Sequence, residues 1–432
     1  MEISELYNLY KKSNSVTTDS RNCPKNAIFF ALKGENFNGN EFALPALENG
    51  CSYAVVDEWK GIENPRVIVV KNVLITLQKL ANYHRRKLKI PIVGIAGSNG
   101  KTTTKELVAI ILAKKFKVMA TQGNYNNHIG VPLTLLAMNK SHEIGVVEMG
   151  ANRLNDVKEL CEIAEPNFGL ITNFGKDHLE TYGSVENVIK GNCELFDFLR
   201  ETNGKVFVSK DNAVLLECSE GMDRILYGRN DASLFVSGNF VTASPFLEFT
   251  WNFFDHSHHV KTYLVGDYNL DNVLAAAAVG KFFGIHANQI SAALEAYQPK
   301  NSRSQFERTD RNDLIIDAYN ANPTSMKAAL ENFSQIVSDM SKAVILGEMK
   351  ELGDTSEEEH RAILQFVLSQ SFDKAYLVGD MFKNLAFENE KLCYFSTIDE
   401  LCAEFEKNPM SGYYILLKGS NSVRLEKCVK WL

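Results

Sequence analysis

The sequence predicts an α/β fold in three domains, and three observations carry that expectation. Short apolar runs that end in polar residues alternate with helical patterns, as in parallel sheets. One such run, Ile92–Ile95, breaks directly into the glycine-rich stretch G-S-N-G-K-T-T-T and then a helix. A third stretch, Phe235–Val265, alternates apolar and polar residues and reads as an antiparallel meander. The expected division is a small α/β domain at 1–89, a central P-loop parallel-sheet domain with the meander at 90–298, and a C-terminal doubly wound, Rossmann-like domain at 299–432.

In the first block, Ala27–Leu32, Tyr53–Val56 and Val67–Val70 are strand candidates, and Phe42–Asn49 and Leu74–Leu88 carry helical periodicity. The basic run His84–Lys89 reads as a helix end, where cations suit the macrodipole. Pro91 then opens a new strand. In the second block, Ile92–Ile95 feeds a helix over Thr102–Ala113, Gly145–Val147 runs into Glu148, and Gly169–Ile171 runs into Thr172 and Asn173. Asp271–Phe283 is an alanine-rich helix. Past Gln298 and Pro299, four apolar runs follow with helices between them: Leu314–Ile316, Ala343–Leu346, Ala375–Val378 and Tyr414–Leu417.

Composition narrows the function classes. With 432 residues, 45% apolar and 23% charged, the chain matches a soluble globular enzyme. A net charge of −7 gives no global electrostatic reason to bind nucleic acid. Eight cysteines without C-x-x-C pairs read as reduced thiols of a cytoplasmic protein. No run of about 18 apolar residues exists, so no membrane insertion is expected. A monomer is expected.

The chemistry concentrates at strand ends. Gly97, Ser98, Asn99, Gly100, Lys101, Thr102 and Thr103 have the order of a phosphate cradle, in which loop N–H groups and a helix N-terminus face one anion. Lys101 would reach the terminal phosphates and the Thr102 hydroxyl a Mg²⁺. The spacing is the short G-x-x-G-K-T, since Ile95 stands where the longer P-loop has its first glycine. Glu148 ends the next strand, where a carboxylate beside a P-loop commonly holds Mg²⁺. In Asn173–Glu180 (N-F-G-K-D-H-L-E), His178 reads either as a second metal ligand or as a structural histidine. Asn124, Asn126 and Asn127, in G-N-Y-N-N-H-I-G-V-P, suit either a ligand loop rich in donors and acceptors or a simple turn. Polar strand ends at Asp317-Ala-Tyr-Asn-Ala-Asn-Pro, Gly347–Gly353 and Lys418–Asn421 mark a site in the third domain. His256, His258 and His259, placed in a hairpin turn, lack a matched carboxylate or Cys and do not read as zinc ligands.

Together G-S-N-G-K-T-T, N-Y-N-N-H-I-G-V-P, E-M-G-A, D-H-L-E and D-A-Y-N-A-N-P resemble the Mur ligases, across all three blocks. Asp19-Ser20-Arg21, Ile28–Gly34 and Asn38-Gly39 extend the resemblance into the first block. Y-N-A-N-P with L-G-E-M-K-E-L-G is similar to the branch that joins D-alanyl-D-alanine to UDP-N-acetylmuramoyl-tripeptide. The sister enzyme that adds the third residue carries D-N-P-R in its third domain; here only Asn64-Pro65-Arg66 occurs, in the first.

The resemblance implies ATP and Mg²⁺ as cofactors. It also implies a uridine-binding first domain, an ATP-binding centre, and a C-terminal domain that binds the dipeptide and closes over ATP. Carried over, Lys101 contacts the phosphates, Thr102 and Glu148 hold one Mg²⁺, and His178 a second. Asn269 and Asn272 fall near the ATP base; Arg303 and Asp317 close over the nucleotide. Ser20, Arg21, Asn36, Asn38, Gly39, Asn124, Asn126 and Asn127 fall to the UDP-linked substrate, and Asn320 and Asn322 to the dipeptide. Related ligases often bridge their metals with a carbamylated lysine. Here Asn192 aligns with that position and Lys190 lies two residues earlier, so either Lys190 serves or the second metal is held differently. Two rivals stand beside this reading: a folate-polyglutamylating amide ligase, which shares the glycine loop, and a nucleotide-hydrolysing switch. Protection of an acyl phosphate from water predicts closure of the third domain, with hinges near residues 90 and 298.

Overall fold

The computed structural model describes residues 1–13, 15–254, 256–300 and 302–432. Three sheets form the architecture. The first block builds a four-stranded parallel sheet around Ile28–Phe30, Tyr53–Val56 and Val67–Val69, with Val16–Thr17 as the added edge. The acidic start forms the helix Ile3–Tyr10, which lays Leu6 and its tyrosines on the long helix Val73–Leu88.

The central sheet has nine strands. From one edge, Val118–Ala120, Ile144–Glu148, Ile92–Ala96, Phe168–Ile171, Lys205–Ser209, Asp223–Arg229 and Val236–Ala243 all run parallel. Phe246–Phe253 and His256–Val265 then add antiparallel strands. The expected meander therefore continues the central sheet rather than standing apart. His256, His258 and His259 lie in its last strand and not in a turn. Strand Ile92–Ala96 is buried throughout, which explains its unbroken apolar run. The alanine-rich helix Asn269–Phe282 is wedged between the glycine-loop helix Lys101–Leu112 and the sheet. At Gly280 even a Cβ would come within 2.4 Å of Ile111 Cγ2, so small residues are required there.

The third sheet has six strands, ordered Gln305–Arg308, Asp313–Asp317, Tyr413–Lys418, Ser341–Gly347, Lys374–Val378 and Leu392–Phe395. All are parallel except the first. The C-terminal strand inserts between two earlier ones, which sets three strand ends side by side at a topological switch point.

The basic run forms the last turn of Val73–Leu88, as expected, and two of its residues are buried. His84 and Arg85 are both 6% exposed. Arg85 donates to the carbonyls of Ala164 (2.9 Å) and Glu165 (3.0 Å) and to Asn167 Oδ1 (3.0 Å). His84 Nε2 meets the Met138 carbonyl at 2.8 Å. Swinging the first domain away would strand these groups without partners, so the boundary near residue 90 is not a free hinge.

Candidate active site

The glycine loop is shaped by positions only glycine tolerates. Gly97 has φ +122° and a Cβ there would lie 2.2 Å from Thr172 Oγ1; Gly100 has φ +81° and faces Asn272 Oδ1 at 2.6 Å. A neighbouring helix and the segment after strand Phe168–Ile171 hold the loop in place. The Gly97 N–H donates to Asn192 Oδ1 (2.8 Å), Ser98 N–H to the Asn173 carbonyl (2.9 Å), and Asn99 N–H to Asn173 Oδ1 (3.1 Å). Ser98 Oγ donates to Asp177 Oδ1 at 2.5 Å. Lys101 folds back over the loop, donating to the Gly97 and Ser98 carbonyls. Desolvation pulls its pKa below the ordinary lysine value, opposed by Asp177 and Glu148.

Glu148 is 1% exposed at the adjacent strand end. Its Oε1 accepts from Thr102 Oγ1 (3.1 Å) and Asn126 Nδ2 (2.9 Å), while Oε2 is buried without a partner. Two of the three loop asparagines are spent on structural contacts, Asn126 tying the loop to the Glu148 strand end and Asn127 bracing the loop itself. Asn126 accepts the Gly150 N–H at 2.7 Å through its carbonyl, and Asn127 Oδ1 accepts from Ile129 and Gly130 N–H. Asn124 is exposed on the cleft wall.

From behind, Asn272 Oδ1 accepts from Thr104 Oγ1 (3.1 Å) and its Nδ2 donates to Asn269 Oδ1 (2.8 Å), a buried chain under Gly100. From the third domain, the Arg303 guanidinium stacks 3.6 Å over the Tyr319 ring. Asp317 is gripped by Lys418 Nζ at 2.7 Å and by the Ser304 N–H at 3.2 Å. His178 Nδ1 meets Glu351 Oε2 at 2.5 Å across the domain boundary. That contact holds the Glu351 carboxyl below the usual range, against its burial.

These elements enclose one cavity of about 1170 Å³. Its wall includes Ser98–Thr103, Asn124, Asn126, Asn127, Glu148, His178, Asn269, Asn272, Arg303, Asp317 and Asn320. Gly97 and Asn322 support that wall without lining it. Ser20, Arg21, Asn36, Asn38 and Gly39 lie outside it, on the first domain. There Arg21 pairs with Asp19, and Asn38 caps the turn Gly39–Phe42 and donates to Glu58. Gly39 is needed for packing, since its Cβ would stand 2.2 Å from the Leu32 carbonyl oxygen.

Asn192, not Lys190, reaches the glycine loop. Both stand on the helix Val185–Glu201, where residues two apart point to nearly opposite sides, and Lys190 is exposed. Sequence reasoning placed Lys418 and Glu351 at strand ends but named neither as a site residue. Lys418 meets Asp317 because their strands pair in register, which one sequence does not display.

Residues 95–280 match the Mur ligase middle domain, and residues 302–421 the Mur ligase, glutamate ligase domain. The chain is 31% identical over 428 residues to UDP-N-acetylmuramoyl-tripeptide--D-alanyl-D-alanine ligase of Bacillus subtilis (strain 168), covering 96% of this chain and 92% of that one. Among solved structures it superposes on MurF of Acinetobacter baumannii with a TM-score of 0.86 at 28% identity, over 96% of this chain and 92% of that one. MurF of Thermotoga maritima, solved in complex with ADP, gives a TM-score of 0.86 at 25% identity, over 98% and 97%. With that likeness running nearly end to end, the chain belongs to the Mur ligase family, in its MurF branch.

Proposed function

We propose that this protein uses ATP to join D-alanyl-D-alanine to the C-terminal carboxylate of UDP-N-acetylmuramoyl-tripeptide, through an acyl phosphate. The product is the UDP-linked pentapeptide of peptidoglycan synthesis, and the step is cytoplasmic. Among the described residues no helix is long and apolar enough to cross a membrane. The carrying observation is convergence. A glycine loop, a buried carboxylate with one unpartnered oxygen, and three strand ends of a second α/β domain face one cleft, in a chain similar along its length to such ligases.

The residues present fit Mg²⁺. Thr102 and Glu148 would hold it, with the bare Glu148 Oε2 as anionic ligand. Among the described residues no group of three or more His, Cys, Asp or Glu forms a metal cage. That suits an ion which takes one or two carboxylates and completes its shell with phosphates and water. When bound, the ion supplies positive charge against the phosphates.

The chain's own groups do the rest. Lys101 and the loop N–H groups offset repulsion between the γ-phosphate and the attacking carboxylate. Asn269 and Asn272 back the loop, while Arg303 and Asp317 cover the nucleotide from the third domain. The dipeptide amine has an ordinary pKa near 7.7–8.0, so roughly a tenth is neutral at pH 7 and a strong base is not required. Closure of the third domain keeps water from the acyl phosphate.

The deciding assay offers ATP and UDP-linked tripeptide with D-alanyl-D-alanine, beside UDP-linked dipeptide with a diamino acid. ADP release should need the first pair. Ligation of only the diamino acid to the dipeptide would refute the assignment. ATP turnover with no carboxylate acceptor would instead favour a nucleotide switch.

A further inference from the structure

We propose that Lys176 is a positioning residue that couples closure of the third domain to the glycine loop, through Gly175, Asp177 and the Ser98 hydroxyl. The segment 175–180 lies between the central and third domains, and its residues alternate between them. Gly175 and Asp177 are buried, and both meet Ser98. The Gly175 N–H donates to Ser98 Oγ at 2.9 Å, and Ser98 Oγ donates to Asp177 Oδ1 at 2.5 Å. Lys176 between them is exposed and bonds the third domain instead. Its N–H donates to Thr324 Oγ1 at 3.2 Å, in the first turn of the helix Pro323–Gln335. Its ammonium donates to Glu359 Oε1 on the helix Ser356–Ser369. At the end of the segment, the Glu180 N–H donates to the Glu351 carbonyl at 3.1 Å.

The coupling follows from the backbone. Peptide units are planar, so only the φ and ψ of Gly175 separate the unit that bonds Ser98 from the unit that bonds Thr324. Gly175 is also closely hemmed in, since a Cβ there would stand 2.8 Å from Asn99 Nδ2 and 3.4 Å from Thr324 Oγ1. When the third domain closes, Thr324 and Glu359 fix the second unit, which narrows the positions open to the first and to Ser98. The Ser98 carbonyl in turn accepts from Lys101 Nζ at 3.0 Å, so the path ends on the lysine assigned to the phosphates. Bonded neighbours of this kind form a contiguous physical route between two domains. This rests on the ligase reading only in taking the loop to hold nucleotide phosphates.

The test measures the affinity of the full chain for a non-hydrolysable ATP analogue with Mg²⁺. Nucleotide is present in every measurement, so the closed form is the one read. Glu359→Lys sets like charges against Lys176 and should weaken binding about five- to tenfold. Adding Lys176→Glu restores the pair in reverse and should bring affinity back to within about twofold of the wild type. Ser98→Ala should also lose about five- to tenfold, as for one hydroxyl contact. Combined with Glu359→Lys, it should be no more than about twofold weaker than the worse single variant, because both cut one path. Losses that multiply in the combined variant overturn the proposal. So does wild-type affinity in either single variant, a charge exchange that restores nothing, or a wild type that does not bind the analogue. A protein that bound the analogue but ligated neither acceptor would defeat the functional reading alone, and the binding series would still decide the coupling.

Discussion

Asn322, the N-cap of a third-domain helix, donates from Nδ2 to Asn99 Oδ1 in the glycine loop at 2.9 Å. Its Oδ1 meanwhile caps its own helix through the Ser325 N–H at 2.8 Å. One side chain therefore caps the helix Pro323–Gln335 and ties it to the glycine loop.

The two jobs separate by substitution. Asn322→Asp keeps the capping oxygen and loses the donor to Asn99, so stability should hold while kcat falls about tenfold, about the worth of one polar contact across the cleft. Asn322→Ala should lower stability as well, by about 1 kcal/mol. Chemical denaturation paired with steady-state ADP release checks both. A normal kcat in Asn322→Asp would show that the Asn99 contact has no part in closure.

Lys101→Ala should abolish ADP release that depends on both the nucleotide-linked peptide and D-alanyl-D-alanine, with a loss of at least about 10²-fold, as for removal of one preorganised charge at a transition state. The fold should survive, because the ammonium bonds only carbonyls of its own loop. Wild-type rates in this variant would end the phosphate role.

Arg85→Ala should destabilise the protein by about 2–3 kcal/mol, since it removes a buried guanidinium and leaves helix-end carbonyls without donors. It should also free the first domain. Limited proteolysis near residue 90 is then expected to quicken in the variant, whereas the wild type resists. Equal cleavage in both would mean that Arg85 does not hold the two domains together.

Two buried histidines set a pH dependence of stability. Burial lowers the pKa of His84 against the opposing pull of the Met138 carbonyl, and lowers that of His360 against the Ser356 carbonyl. Each folded value lies below the unfolded one near 6.5. As pH falls through about 6.5, the unfolded chain takes up protons that the folded chain refuses, so stability drops until the folded value is passed. The melting temperature should therefore be lower at pH 5.5 than at pH 7.5, and the gap should shrink in His360→Gln. An undiminished gap in that variant would take His360 out of the account.

The glycine loop was legible because its chemistry is local: strand, turn and helix follow one another within a few residues, and only glycine fits the turn. Glu148 and Asp317 were legible because strand ends in a parallel sheet share one edge. His84–Lys89 reads as a helix end and forms one, but nothing local to H-R-R-K-L-K reveals the carbonyls of Ala164 and Glu165 that meet Arg85 some eighty residues on. Asn322 was read as facing the dipeptide, and its tie to Asn99 spans two domains.

By itself the sequence determined the alternating elements, the glycine turn between strand and helix, and the family, since these rest on short-range patterns of apolarity, glycine and charge. Only the tertiary structure decided which polar residues meet: Lys418 with Asp317, Asn192 with Gly97, Glu351 with His178. Those pairings depend on strand register, helix rotation and domain closure, which are set by packing between segments far apart in the chain.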